Sequence, residues 1–208
     1  MKFPLCALLV VSILAGCSGA SSSSRVSASG SPGVATLAFV LPEGAQLLSS
    51  TSVSTSDYVG HDDLVSSPQS LDALSAWLSA VKAKPPGGYT LEDAGRLSRM
   101  RNQLAPYGID ALAFTHTVGG KPHGTVVLVY DPAIVRDKAG IVVSLASKYR
   151  ALPPMLRDPL DVQIKKSTGM TGTELLDPSN PLGAVIGSLN SLTAANQRGI
   201  LIVDGSKK

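Results

Sequence analysis

The sequence predicts an α+β (or α/β) fold, a single-domain sandwich in which a mixed sheet of about five strands is covered by about four helices. Three observations predict it. Between Val34 and Asp204, short β-rich runs alternate with longer segments whose apolar residues recur every three or four positions. Gly119-Gly120 joins two alternating runs in the way a hairpin requires. Each helical segment has one apolar face, so each needs a sheet face to cover. A domain of this length buries roughly 70% of its unfolded surface and needs no disulfide to hold it.

The elements follow in order. Val34–Leu41 reads as a strand, stopped by Pro42-Glu43-Gly44. The Ser/Thr stretch 49–57 reads as a long loop or an irregular edge strand. Ser67-Pro68 offers an N-cap and first-turn proline for a helix whose face is Leu71, Leu74, Leu78 and Val81, with Trp77 beside it. Pro85-Pro86-Gly87-Gly88 ends it. Thr90 is placed to cap a second helix, with Leu91, Ala94, Leu97, Met100 and Leu104 inward and Pro106 as its stop. Its Arg96, Arg99 and Arg101 fall outside that stripe, as on a solvated face.

Ile109–Val118 and Thr125–Tyr130 are two strands of the hairpin. Its register pairs His116 with His123, on the face shared by Leu112, Phe114, Val127 and Val129. Asp131-Pro132 starts a helix through roughly Arg150, although Gly140 and Ile141-Val142-Val143 favour a strand locally. Leu160–Ile164 alternates as a short strand. Asn180-Pro181 starts the last helix, with Leu182, Val185, Ile186, Leu189 and Leu192 inward and Gly199 as its end. Ile200–Val203 is a buried strand.

Composition narrows the function. The chain of 208 residues is 44% hydrophobic and 16% charged, with a formal net charge of +3. That balance is too mild for a nucleic-acid binder, which concentrates basic residues on one face. No run of apolar residues is long enough to span a bilayer as a helix.

The N-terminus carries an address. Met1-Lys2 is a short positive start, and Leu5–Leu14 is an apolar run interrupted by Ser12. Leu14-Ala15-Gly16-Cys17, followed by Ser18-Gly19, resembles the lipobox of bacterial lipoproteins. The resemblance implies a signal peptide over 1–16 and acylation (palmitate among the chains) of Cys17, the one side chain here nucleophilic enough to accept a diacylglycerol. Two or more acyl chains anchor a protein stably where one does not. The resemblance also implies the periplasmic face of the outer membrane in a host with two membranes, since Ser18 stands where an Asp would retain the protein at the inner one. Residues 18–33 hold eight serines, with Gly19, Gly30, Pro32 and Gly33, and read as a flexible tether. The globular domain then runs over 34–205 and a short tail over 206–208. The segment from the second helix through Tyr107–Ala113 into the hairpin resembles small α/β domains of envelope-assembly lipoproteins, and no residue role is carried over from it.

Catalytic motifs are missing from the sequence. There is no Gly-x-Ser-x-Gly elbow, and Gly119–Thr125 lacks the spacing of a phosphate loop. His61-Asp62-Asp63 and the pair His116/His123 are the metal-flavoured features, neither with a complete ligand set. The sequence therefore points away from an enzyme, with no cofactor, metal or catalytic residue expected. It reads as a membrane-anchored envelope protein whose domain binds a protein partner. The exposed hairpin tip, Gly119, Gly120, Lys121, Pro122 and His123, is the candidate contact. A periplasmic inhibitor or immunity-type lipoprotein is one alternative. A hydrolase centred on His61, His116 and His123 is another, and it requires a fold that gathers these residues.

Overall fold

The structure is a computed structural model that describes residues 24–28, 33–54, 58–92, 95, 98, 101–102, 104–168, 170–176, 180–193 and 197–208. The signal peptide, Cys17, and Ala94, Arg96, Leu97, Arg99 and Met100 of the expected second helix lie outside them.

Among the described residues, seven strands form one sheet: β1 (Ser24–Ala28), β2 (Gln46–Ser54), β3 (Tyr58–Ser67), β4 (Thr90–Leu91), β5 (Ile109–Val118), β6 (Lys121–Tyr130) and β7 (Arg198–Lys207). Their spatial order is β1-β2-β3-β7-β6-β5-β4. Every neighbouring pair is antiparallel. The class is α+β, and the expected mixed sheet of five strands is corrected to an antiparallel sheet of seven. Alternation of helices and strands along the chain suggested parallel crossovers. Instead, α3 (Pro132–Ala151), α4 (Asp158–Thr168), α5 (Gly172–Leu175) and α6 (Pro181–Thr193) make one excursion between β6 and β7, which are antiparallel neighbours.

Helices lie on both faces. On one, Phe39, just after α1 (Val34–Ala38), packs its ring on Phe114, and α2 (Leu71–Ala83) buries Leu74 and Leu78. Trp77 of α2 ties the two together by donating to the Val40 carbonyl at 2.8 Å. On the other face, the Tyr130 hydroxyl meets the Ser188 hydroxyl of α6. The core between the layers includes Val65, Val127, Val129, Leu128, Ile200 and Ile202, all essentially inaccessible.

The hairpin stands as expected, with Gly119 and Gly120 at φ +57° and +81° and His116 opposite His123. The helix over 132–151 also forms, kinked at Ala139 (φ −110°, ψ 15°) and started by Asp131, whose carboxylate accepts from the Ala133 N–H. Asn180 caps α6 through the Leu182 and Gly183 N–H groups.

Six expectations are corrected. Val34–Leu41 is not a strand. Its first five residues coil into α1, which puts Ala35 and Phe39 in the core four residues apart and leaves Leu37 and Val40 exposed. Residues 46–54 are a strand between two others, not a loop or edge. Ser67 ends β3, and the cap of α2 is Ser70, whose side chain accepts from the Ala73 N–H. Thr90 is not a cap but half of β4, opposite Thr115, although Gly95, Ser98, Arg101, Asn102 and Leu104 are helical. Leu160–Ile164 lies in α4, where Leu160 and Ile164 share a buried face and Val162 points out. Gly199 belongs to β7, where a Cβ would collide with Tyr130 and Leu192.

Ser24–Ala28, within the Ser-rich segment, pair with β2, and β7 continues through Lys207.

Candidate metal centre

The ladder register decides what shares a face. Directly opposed residues of antiparallel strands point to the same side. His61 of β3 is opposite Asp204 of β7, Asp204 is opposite Thr125 of β6, and Thr125 is opposite Phe114 of β5. His123 and His116 are opposed one step further along. All three histidines of the chain therefore stand on one sheet face, with Asp63 and Asp204 among them.

Asp204 is the hub. Its Oδ1 accepts from His116 Nε2 at 2.7 Å and from the Thr125 hydroxyl at 2.6 Å. Its Oδ2 accepts from His123 Nδ1 at 3.2 Å. The side chains of His116 and Asp204 are 5% and 12% exposed, and that of His123 is 18% exposed. A carboxylate this far from water is tolerated because donors surround it. One donor atom from each of His116, His123 and Asp204 lies within 4.8 Å of the others. Two imidazole nitrogens and a carboxylate oxygen are the donor set of many catalytic zinc sites.

Tyr89 roofs the cluster. Pro85-Pro86-Gly87-Gly88 turns the chain, with Gly88 at φ +83° and the Tyr89 N–H donating to the Pro86 carbonyl. The pairing of Thr90 with Thr115 then carries Tyr89 to His116. The two rings stack at 4.3 Å between centroids and 17° between planes. Phe39 and Phe114 pack beside Tyr89 and keep the inner side apolar. Burial, and then the negative charge of Asp204, push the Tyr89 hydroxyl up to about 12, so it keeps its proton.

A second polar group lies along the same face. Asp63 Oδ2 accepts from the Gly33 N–H at 2.6 Å, and Oδ1 accepts from the Ser50 hydroxyl at 2.5 Å. His61 Nε2 is hydrogen-bonded to Ser50 and lies 3.2 Å from Asp63 Oδ1. A Cβ at Gly33 would press on His61 and Asp63, so this group seats the start of the α1 segment on the sheet. Its serine is 3% exposed, too deep for a nucleophile that meets substrate.

The structure thus brings His116 and His123 together and supplies the carboxylate that the sequence reading lacked. His61, Asp62 and Asp63 lie inside β3. Asp204, Thr125 and Tyr89 were missed. Asp204 continues the alternation Ile200, Ile202, and that period placed it on the hairpin's histidine face once β7 was taken as the hairpin's neighbour. Of the expected partner contact, Gly119, Gly120, Lys121 and Pro122 are exposed at the tip, while His123 turns inward to Asp204. A cleft of about 660 Å³ near Lys82, Glu92, Arg101 and Asp110 lies toward the opposite end of β5 and holds the Arg101–Asp110 ion pair.

No family model, curated protein or solved structure matches the chain.

Proposed function

We propose that this protein is a lipid-anchored envelope protein whose domain binds a divalent transition-metal ion, zinc by preference, through His116 Nε2, His123 Nδ1 and Asp204. The observation that carries the reading is the convergence of those three donors on one sheet face around a largely buried carboxylate. A tetrahedral zinc ion with bonds of ~2.0–2.1 Å holds its donors ~3.3 Å apart, wider than the 2.7 Å between His116 Nε2 and Asp204 Oδ1 with a proton between them. The metal displaces that proton, and rotation of the two imidazole rings, near the hairpin tip, sets the wider spacing. Thr125 holds Asp204 from behind, as outer partners of zinc ligands do.

Equilibrium dialysis against zinc tests the reading. The protein takes up one ion per chain, and His116→Asn or Asp204→Asn removes it. Thr125→Val weakens binding by about 10–100-fold. His61→Asn leaves it intact, since His61 is bonded to Ser50. A wild-type protein without stoichiometric zinc reduces the cluster to a structural clamp between the hairpin and β7.

The anchor is a separate element of the proposal and rests on Leu14-Ala15-Gly16-Cys17. Cys17→Ser releases the protein from the membrane fraction and lowers its mass by the acyl chains. An unchanged mass and location overturns it. The hairpin tip is the surface offered to an envelope partner, because Gly119–Pro122 are exposed. Lys121→Ala with Pro122→Ala weakens capture of that partner from detergent-solubilised membranes. Unchanged capture removes the tip from the interface.

A further inference from the structure

Three protein donors leave a tetrahedral ion one position short. The roof of the site holds a group with nothing to bond. The Tyr89 hydroxyl oxygen is buried, and among the described residues it has no hydrogen-bond partner. Buried hydroxyls are almost always paired, so this orphan over the centre calls for an occupant.

We propose that the centre takes a small oxygen-donor anion of the carboxylate class as its fourth ligand, and that the Tyr89 hydroxyl donates the hydrogen bond that holds it. This rests on the metal reading above. The ring of Tyr89 is fixed by its stack on His116 and by Phe39 and Phe114, so its hydroxyl is placed without further ordering. A neutral phenol bonds an anionic oxygen more strongly than a neutral one. The occupant is small because the same aromatic rings close the inner side. A metal cation then offsets the repulsion that Asp204 alone would exert on an incoming anion.

The experiment uses the cobalt(II)-loaded protein, whose visible bands report the coordination sphere, with acetate as the probe. In the wild type, acetate shifts the bands saturably. Tyr89→Phe keeps the ring and its stack. It takes up cobalt with affinity within about threefold of wild type and binds acetate about tenfold more weakly, the effect of one lost hydrogen bond to a charged group. Equal acetate affinity in the two proteins overturns the proposal, and so do bands that ignore acetate. Loss of cobalt affinity in Tyr89→Phe also overturns it, because Tyr89 would then only support His116. A wild type that takes up no cobalt fails at the earlier step and overturns the metal reading itself.

Discussion

The β5–β6 hairpin and β3 place histidines on the same face of the same sheet, yet they rest on different signals. The hairpin is local. Gly119-Gly120 sets the turn, the apolar residues alternate around it, and the partner strand is two residues away. Strand β3 is local on one side and long-range on the other. Tyr58–Ser67 carries Gly60, His61, Asp62 and Asp63 at its centre and lies between β2, which ends at Ser54, and β7, which starts at Arg198. His61 and Asp63 are acceptable there because Gly33, Ser50 and Ser52 come to meet them. A strand can thus be specified by its own alternation or by the partners that reach it, and the second kind is silent in the sequence.

The hub between the two regions gives the largest expected effect. Asp204→Ala removes the acceptor of the His116, His123 and Thr125 bonds and leaves those donors buried. It lowers metal-free stability by about 3 kcal/mol, a few buried donors left unpaired at ~1–3 kcal/mol each with partial relaxation. Urea unfolding of the metal-free protein measures it. A loss under 1 kcal/mol means the hub is ornamental in the apo fold. Zinc at a hundred times its dissociation constant stabilises the wild type by about 2.7 kcal/mol and the variant by none.

Within β3 the matching change is Asp63→Ala, which strands the Gly33 N–H and the Ser50 hydroxyl. The expected cost is about 2 kcal/mol, with zinc affinity unchanged. If zinc affinity falls as well, the two polar groups are one network, and the separation drawn between the regions fails.

How much was legible follows from the same contrast. The hairpin, its His116/His123 register, the Asp131 and Asn180 caps and the two long helices they start all rest on local signals: glycines at positive φ, short polar caps and apolar spacing within one element. The site was half legible for the same reason. Two ligands share a hairpin, while Asp204 arrives from a strand 81 residues beyond His123. Errors came where two periods fit one short run. Leu160–Ile164 satisfies both alternation and the four-residue helical step, and packing chose the helix through buried Ile164. Val34–Phe39 was settled the same way by Ala35 and Phe39.

The opposite sheet face offers a control with no metal chemistry. Tyr130 is fully buried against α6 and bonded to Ser188, and burial raises its hydroxyl well above the ordinary tyrosine value of 10. Its folded value is raised, so its stability contribution is complete below pH 10 and declines as pH rises. Between the unfolded and folded values the unfolded chain has released a proton that the native chain retains. Stability then falls by about 1.4 kcal/mol per pH unit for that one group. Tyr130→Phe removes this slope above pH 10 in denaturant titrations at stepped pH. Zinc leaves the Tyr130 contribution to that slope untouched, because the group lies on the other side of the sheet. An identical slope in the variant would mean that Tyr130 opens to water before it ionises.

The smallest effect tests the local mechanism itself, through one substitution at two places. Gly120 stands at φ +81° with open space where a Cβ would go, so Gly120→Ala meets no neighbour and pays only for the left-handed backbone. The cost is about 1 kcal/mol. Gly140 lies within α3, also with open space around a would-be Cβ and with no positive φ. Gly140→Ala therefore stabilises the protein by roughly 0.5–1 kcal/mol, by restricting the unfolded chain in a helix that suits alanine. Thermal unfolding of the two variants gives shifts of opposite sign if the turn is set by backbone conformation. Shifts of the same sign would show that cross-strand contacts hold the hairpin and its histidine register, and that Gly119-Gly120 merely accommodates them.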